Sequence, residues 1–229
     1  MTCPLVTIRP EPGASETVAR ASEMGLTVES WPLSQVCPSD WQAPAADKYD
    51  GLLLGSANAV RHAGGQLERL AGLPVYAVGE QTAEAARAAG LHVVRTGAGN
   101  LQSMLDMLAG ERLRLLRLTG EKHMAVVPPS GITVDVLAIY KVEHLPVPAA
   151  LAEQLRRGAA VLLHSAEAAA HFARECDRLR LPRERIAIAA LAPRIAERAR
   201  GSWRAVTIAA APDDAALLAA AAQVCEEAR

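Results

Sequence analysis

Short apolar runs alternate with alanine-, glutamate- and arginine-rich stretches along almost the whole chain, and this alternation is the strongest limit on its fold. The apolar runs include DGLLLGS, PVYAVG and HVVRT, and later RLLRLTG, AVLLHS and IAIAAL. Each run has the length of a strand, and the stretches between the runs have the length and composition of helices. The alternation predicts an α/β fold with parallel sheets whose faces are covered by helices.

Composition agrees with this class and limits the partners. Apolar residues make up 51% of the 229 residues, but only one Phe, three Tyr and three Trp are present. The core must therefore be built from Ala, Leu and Val, and the length allows one large or two small domains. A formal net charge of −1 and a pI near 6.6 give no general attraction to nucleic acid or to an anionic membrane. We expect neither as a partner.

The cysteines and the first residues indicate a cytoplasmic protein. Cys3, Cys37, Cys176 and Cys225 lie far apart and form no CxxC pair, which argues against a zinc site and a disulfide framework. We therefore expect reduced, structural thiols. The opening MTCPLVTIRPEP shows no basic segment followed by an apolar one, and no apolar run approaches the roughly 20 residues that span a bilayer.

Two internal matches favour a duplication. Residues 53–62 read LLGSANAVRH and residues 162–171 read LLHSAEAAAH, so that a strand ends in Ser-Ala at a helix start both times. Residues 25–29 read GLTVE and residues 131–135 read GITVD, each expected to close a βα unit into its next strand. Paired halves predict two lobes with a cleft between them.

Two proline-containing segments, residues 31–47 and 140–149, are expected to connect the lobes. Proline restricts both its own backbone and that of the residue before it, so both segments suit extended structure better than helix.

The turns that follow the strands carry the candidate binding residues, because an open α/β sheet binds its ligand outside the carboxyl ends of its strands. The turns read IRPEPGAS, LGSANA, VGEQTA, LTGEKH, LHSAEA and LAPRIA. Ser56, Thr82 and Ser165 stand at helix entrances, where unpaired N–H groups attract a carboxylate or phosphate. The same residues could serve only as N-caps. Hydroxyls at corresponding turns in both halves favour a binding role.

Several other chemistries lack their motifs. The chain contains no GxGxxG, no GxxxxGK[ST] and no GxSxG, and the first strand runs into Arg9-Pro10 instead of an acidic pair. His164 and His171 are seven residues apart with no Cys or carboxylate to complete a ligand set, so we expect no metal. Tyr140 falls in a predicted connecting strand. Its phenol could donate a proton in a cleft or only hydrogen-bond while the ring packs.

Taken together, these stretches resemble the uroporphyrinogen-III synthases. The matching pieces are VTIRPEPG, YDGLLLGSANAVRH, LPVYAVGEQTAEAARAAG, LRLTGE, AIYKVEH, LLHSAEAA, IAALAPRIAE and WRAVTIA, in the family's order. The resemblance implies two flavodoxin-like lobes with parallel sheets joined by a two-stranded linker. The first lobe would be residues 1–34 and 146–229, the inserted second lobe residues 46–135, and the linkers residues 35–45 and 136–145.

The resemblance also implies a reaction, namely the cofactor-free cyclisation of hydroxymethylbilane with loss of water and inversion of the last pyrrole ring. Tyr140 matches the linker tyrosine that is the candidate for assisting departure of the hydroxyl. The substrate-binding candidates are Arg9, Ser56, Asn58, Gly79, Thr82, Lys122, Ser165 and Arg194. Where the family often has a hydroxyl residue, this chain has Arg194 and Ile195, so a carboxylate contact there is either lost or taken over by Arg194. The expected enzyme is a monomer with no cofactor and no metal.

Two alternatives from other classes stay open at this point. A non-catalytic two-lobe protein that closes on a small molecule would share the lobes and linkers but bind without turnover. A nucleotide-using α/β enzyme would bind nucleotide tightly, although the glycine fingerprint for it is missing.

Overall fold

The computed structural model describes residues 3–97 and 100–226, and the chain divides into two compact units. Unit 1 comprises Met1–Gln35 and Glu143–Arg229, and unit 2 comprises Val36–Val142. The chain therefore leaves unit 1 once and returns to it once.

The strands in the described part of the chain are β1 (Leu5–Thr7), β2 (Val28–Ser30), β3 (Ser34–Pro38), β4 (Gly51–Leu54), β5 (Val75–Val78), β6 (Val93–Gly97), β7 (Leu113–Gly120), β8 (Ile132–His144), β9 (Ala159–Leu163), β10 (Ile186–Ala190) and β11 (Ala205–Ile208). The α-helices are α1 (Gly13–Glu23), α2 (Ala57–Arg61), α3 (Glu80–Ala88), α4 (Leu101–Asp106), α5 (Ala149–Arg157), α6 (Ala166–Arg178), α7 (Pro193–Ala196) and α8 (Asp214–Glu226). Short 3₁₀ helices span Ala46–Lys48, Gly64–Leu70, Arg183–Arg185 and Glu197–Ala199.

Unit 1 is built on a five-stranded sheet in the order β11-β10-β9-β1-β2, and all its neighbouring strands are parallel. Numbered within the unit, this is the order 2-1-3-4-5 of flavodoxin-like sheets. The chain passes from β1 to β2 at one edge of the sheet. It passes from β9 through β10 to β11 toward the opposite edge. The switch point, where such sheets bind ligands, thus lies between β1 and β9.

Unit 2 contains a six-stranded sheet in the order β3-β8-β7-β4-β5-β6. Its strands from β4 to β8 are mutually parallel, and its switch point lies between β4 and β7. The centre of this sheet is apolar on both faces because β4, with the sequence GLLL, is fully buried. Leu52 and Leu54 belong to one core cluster and Leu53 to the other.

The strands β3 and β8 carry the chain across the division between the units. They run antiparallel, because the Leu145 N–H donates to the Leu33 carbonyl and the Ser39 N–H donates to the Ile139 carbonyl, each at 2.9 Å. The predicted fold class is therefore confirmed: two α/β units with parallel sheets are connected by two extended strands.

The connection from β7 to β8 differs from the expectation. GITVD at residues 131–135 was expected to follow the helix of a βα unit, but residues 121–130, which precede it, form no helix. The segment contains Pro128 and Pro129, and consecutive prolines remove the N–H groups that a helix needs. The segment instead forms a loop that lies at the carboxyl end of β7.

A disulfide joins Cys3 and Cys225, whose Cα atoms are 5.3 Å apart, so the expectation of reduced thiols was wrong for this pair. Cys37 and Cys176 are free thiols. The pair is separated by 222 residues, and only the fold brings its members together. Cys3 precedes β1, and the end of α8 packs on the same core cluster as β1.

We expect the double variant C3S/C225S to lose about 2–5 kcal/mol of unfolding free energy relative to the oxidised protein, because the cross-link restricts the unfolded chain. Urea unfolding with and without dithiothreitol measures the effect. The reduced wild-type protein should match the double variant. Equal stability of oxidised wild type and double variant would contradict the pairing.

Candidate functional site at the carboxyl ends of the strands

In unit 2 the candidate residues meet at one edge of the sheet. The neighbouring strands β8, β7, β4 and β5 contain or precede Tyr140, Lys122, Ser56 and Gly79, respectively. Tyr140 is not at the end of its strand, but it pairs with Gly120, the last residue of β7. Since parallel strands end at the same edge, the structure brings these residues of unit 2 to the edge where open α/β sheets bind ligands.

Ser56 and Ser165 take equivalent positions in the two units. Each has an extended backbone and begins a helix after a central strand, α2 after β4 and α6 after β9. The Ser56 hydroxyl accepts from the Asn58 N–H at 3.2 Å, and the Ser165 hydroxyl accepts from the Ala168 N–H at 3.1 Å. Both hydroxyls are therefore N-caps, and each can still donate its own proton to a ligand oxygen.

Thr82 is not a cap. Gly79 occupies the N-cap position of α3 with φ of 80° and ψ of 153°, a conformation that is essentially restricted to glycine. Thr82 lies in the first turn and is only 5% exposed. Its hydroxyl makes no hydrogen bond to a residue in the described part of the chain. The capping alternative is thus wrong for Thr82, whose hydroxyl is available to another partner.

Tyr140 lies with its ring against the end of β7. A Cβ atom at Gly120 would stand 2.7 Å from the Tyr140 ring, so only glycine lets the ring rest on this strand. The His62 ring lies 6.2 Å from the Tyr140 ring, centroid to centroid. Burial and the nearby Arg61 charge lower the pKa of His62, which favours its neutral form. The Tyr140 hydroxyl makes no hydrogen bond to any residue between 3 and 97 or between 100 and 226.

The remaining candidates of unit 2 differ in exposure. Asn58 is half-buried in the first turn of α2, where its carbonyl accepts from the His62 N–H. Lys122 is exposed in the loop after β7. Sequence reasoning missed Arg117, which lies on β7 and is only 6% exposed. The signal for Arg117 was a single charge inside the apolar run RLLRLTG.

In unit 1, Arg9 belongs to a polar cluster at the switch point between β1 and β9. Its Nη1 donates to an Asp214 carboxylate oxygen and to the Thr17 hydroxyl, both at 3.2 Å. The Thr17 hydroxyl donates to Asp214 at 2.7 Å, and the His164 Nε2 lies 3.0 Å from the other Asp214 oxygen. These contacts tie the turns after β1 and β9 to the start of α8. Sequence reasoning named Arg9 but missed Asp214.

The cluster shifts the acidity of Asp214. Hydrogen bonds from His164 and Thr17, together with the charges of His164 and Arg9, lower the Asp214 pKa to about 2 against the opposing effect of burial. The folded state therefore favours the carboxylate form. This contribution to stability is present above pH about 4 and is lost as the pH falls toward 2.

We expect Asp214→Asn to lower the unfolding free energy by about 1–2 kcal/mol at pH 7, because the amide keeps the shape but loses the charge. The difference from wild type should shrink as the pH falls from about 4 to 2. Urea unfolding across that range measures it, with Asp213→Asn as the control. Asp213 only caps the Ala216 N–H, and asparagine caps as well as aspartate. A pH-independent difference would contradict the role of the Asp214 charge.

The two residues singled out in the turn after β10 differ in exposure. Ile195 is buried in the core of unit 1, whereas Arg194 is exposed. Of the two, only Arg194 is placed where a ligand could reach it.

Neither a metal cluster nor a membrane-spanning helix is found in the ranges described. No group of three or more His, Cys, Asp and Glu side chains there could hold a metal ion. No helix there is long and apolar enough to cross a membrane.

Comparison with known proteins gives matches of two kinds. The family model described as uroporphyrinogen-III synthase HemD matches residues 15–219. The uroporphyrinogen-III synthetase structure from Helicobacter pylori 26695 is similar with a TM-score of 0.66 at 16% identity, covering 99% of this chain and 100% of that chain. This likeness shows the fold.

Two uroporphyrinogen III synthase structures from Thermus thermophilus also match, each at 18% identity. The wild-type form gives a TM-score of 0.43 and covers 99% of both chains. A mutant form gives 0.49 and covers 99% of this chain and 100% of that chain. The search of curated proteins found no match. Because the family model spans residues 15–219 of the 229, this chain belongs to the uroporphyrinogen-III synthase family.

Proposed function

We propose that this protein is a uroporphyrinogen-III synthase, a cyclising hydro-lyase that converts hydroxymethylbilane to uroporphyrinogen III with loss of water and inversion of the last pyrrole ring. The observation that carries the proposal is the family match over residues 15–219. The arrangement of polar groups at the carboxyl ends of the strands supports it.

The substrate is a linear tetrapyrrole with eight carboxylates, so its binding needs many anion-compatible donors. Helix N-termini supply such donors, because their first N–H groups have no partner within the helix. Ser56, Gly79, Thr82 and Ser165 all stand at helix entrances that follow strands. The free Thr82 hydroxyl is the best suited of the side chains to add a hydrogen bond to a carboxylate.

Tyr140 is proposed as the acid of the first step. Its phenol donates a proton to the substrate hydroxyl, the C–O bond breaks, and water leaves with the formation of an azafulvene cation. The substituted carbon of the last ring attacks this cation to give a spiro intermediate, which reopens and closes again with that ring inverted. The final closure releases a proton, and the Tyr140 oxygen can take it back, so the enzyme is restored.

We further propose that the enzyme acts as a monomer without a cofactor, with residues 35–45 and 136–145 as linkers. The extended strands β3 and β8 overlap both proposed linkers, which supports this division. The net charge of −1 gives no general attraction to nucleic acid. Light scattering after size exclusion tests the monomer.

The first test of function is the isomer composition of the uroporphyrinogen formed from hydroxymethylbilane, with a protein-free control. The free bilane closes without inversion to the type I ring, so the uncatalysed product is the internal reference. Predominant type III product is expected. Type I product alone, formed at the control rate, would overturn the proposal and favour a non-catalytic binding protein.

A further inference from the structure

Arg117 is a buried cation whose hydrogen bonds are incomplete. The residue is 6% exposed, and its Nη1 donates to the Met124 carbonyl at 2.8 Å. Its Nε is buried without a partner, and its Nη2 makes no hydrogen bond to a residue within 3–97 or 100–226. Two of the three guanidinium nitrogens, Nε and Nη2, therefore receive from the described residues none of the hydrogen bonds that a buried charge requires.

Arg117 also differs from the other arginines of its strand and sheet in lacking a carboxylate. Arg114 pairs with Asp135 at 2.8 Å, and Arg95 pairs with Glu111 at 3.7 Å. Arg117 has no ion pair with an acid in the described ranges. A buried cation without a counterion destabilises the unit that contains it. Its presence is explained if a ligand supplies the missing anion.

The surroundings of Arg117 place such an anion at the ligand-binding edge of unit 2. Arg117 and Thr119 lie two residues apart on β7 and so share one face of the sheet. Thr119 is also buried, and its hydroxyl makes no hydrogen bond to a residue in the described part. β7 pairs with β4 at the switch point of the sheet. Two buried polar side chains, each with a group that makes no hydrogen bond to a described residue, thus lie on the same face of β7 near the turn that follows it.

The loop above Arg117 is held in a definite position. Gln102 accepts from the Val127 N–H and donates to the Val127 carbonyl, both at 2.9 Å, and Arg117 holds the Met124 carbonyl. The side chains of Met124 and Val127 are nevertheless 83% and 78% exposed. The loop therefore offers an apolar surface next to a buried positive charge. That combination matches a pyrrole ring with a carboxylate side chain.

We propose that Arg117 binds a carboxylate of the hydroxymethylbilane through its Nη2, beneath the loop formed by residues 121–131. This assignment rests on the proposed function. The guanidinium neutralises one carboxylate, the Thr119 hydroxyl donates to the same group, and Met124 and Val127 cover the adjoining ring.

The test compares Arg117→Met and Arg117→Lys with wild type by steady-state kinetics and thermal unfolding. We expect Arg117→Met to raise the KM for hydroxymethylbilane about tenfold to hundredfold, as the loss of a charged hydrogen bond predicts. Its Tm should stay unchanged or rise, because an unpaired buried charge is removed. Arg117→Lys should raise KM less, since an ammonium keeps the charge but loses the planar fork.

The matched control is Arg114→Met, which removes an exposed arginine from the opposite end of the same strand and should leave KM unchanged. A wild-type KM in Arg117→Met would overturn the assignment. A loss of Tm in both Arg117 variants that is as large as in a core variant would also overturn it, because Arg117 would then be structural. If wild type itself yields no type III product, the proposed function fails first and the assignment fails with it.

Discussion

Replacement of Tyr140 by phenylalanine is expected to lower kcat about a hundredfold, the lower end of what a positioned general acid contributes. The substitution removes only the hydroxyl. The ring should still rest on Gly120 beside His62, and no hydrogen bond to a described residue is lost. Folding and KM should therefore change little. The loss appears in the step in which the substrate hydroxyl leaves as water.

Single-turnover formation of type III product measures this step, and circular dichroism checks the fold. Tyr49→Phe is the matched control, because Tyr49 precedes β4 at the amino ends of the parallel strands, where the Arg114 guanidinium lies 5.4 Å from the centroid of its ring. We expect Tyr49→Phe to keep the wild-type kcat. An unchanged kcat in Tyr140→Phe would remove the acid role and leave water or the substrate itself as the proton donor.

Replacement of Phe172 by alanine is expected to lower the unfolding free energy of unit 1 by about 3–5 kcal/mol. Phe172 is the single phenylalanine of the chain and is fully buried on α6. Its ring stacks on the Trp203 ring at 5.7 Å with an interplanar angle of 14°. The core around it is formed mainly by aliphatic side chains, and close-packed neighbours fill the cavity left by such a truncation only in part.

Urea unfolding followed by far-UV circular dichroism measures the effect. Phe172→Leu should cost less, since leucine fills most of the volume. Val206→Ala on β11 is a surface control, because Val206 is 51% exposed and its truncation should change stability by less than about 0.5 kcal/mol. A loss below about 1 kcal/mol in Phe172→Ala would show that the unit repacks around the site.

The predictable part of the site came from local rules. Ser56 and Ser165 each follow an apolar strand and precede an alanine-rich helix, and a hydroxyl at that position caps the helix whatever the rest of the chain does. Thr82 looked the same in sequence. Gly79 took its place as N-cap because the left-handed backbone at the end of β5 suits only glycine. Because the N-cap of the helix lies three residues before Thr82, the Thr82 hydroxyl is not a cap and makes no hydrogen bond to a described residue.

The unpredicted part depends on which strands become neighbours. Asp214 lies 205 residues from Arg9 and 50 from His164, and no local pattern links them. Cys3 and Cys225 meet for the same reason, because the first strand and the last helix share one core cluster. In the sequence, Arg117 is a single charged residue within an apolar strand. Only its burial beneath the loop after β7 showed that its hydrogen bonds to the described residues are incomplete.

The order of amino acids alone specifies the fold class, the parallel sheets, the strand-to-helix turns and the family, because these follow from short-range periodicity, turn chemistry and a run of motifs in order. Packing in three dimensions sets the order of strands in each sheet and therefore which turns adjoin. It also places Tyr140 on Gly120, holds Arg9 against Asp214 and leaves Arg117 without a counterion among the residues that the structure describes. Whether a side chain is buried and which groups it contacts depend on residues that are distant in the sequence. Both are therefore set only when the strands have paired.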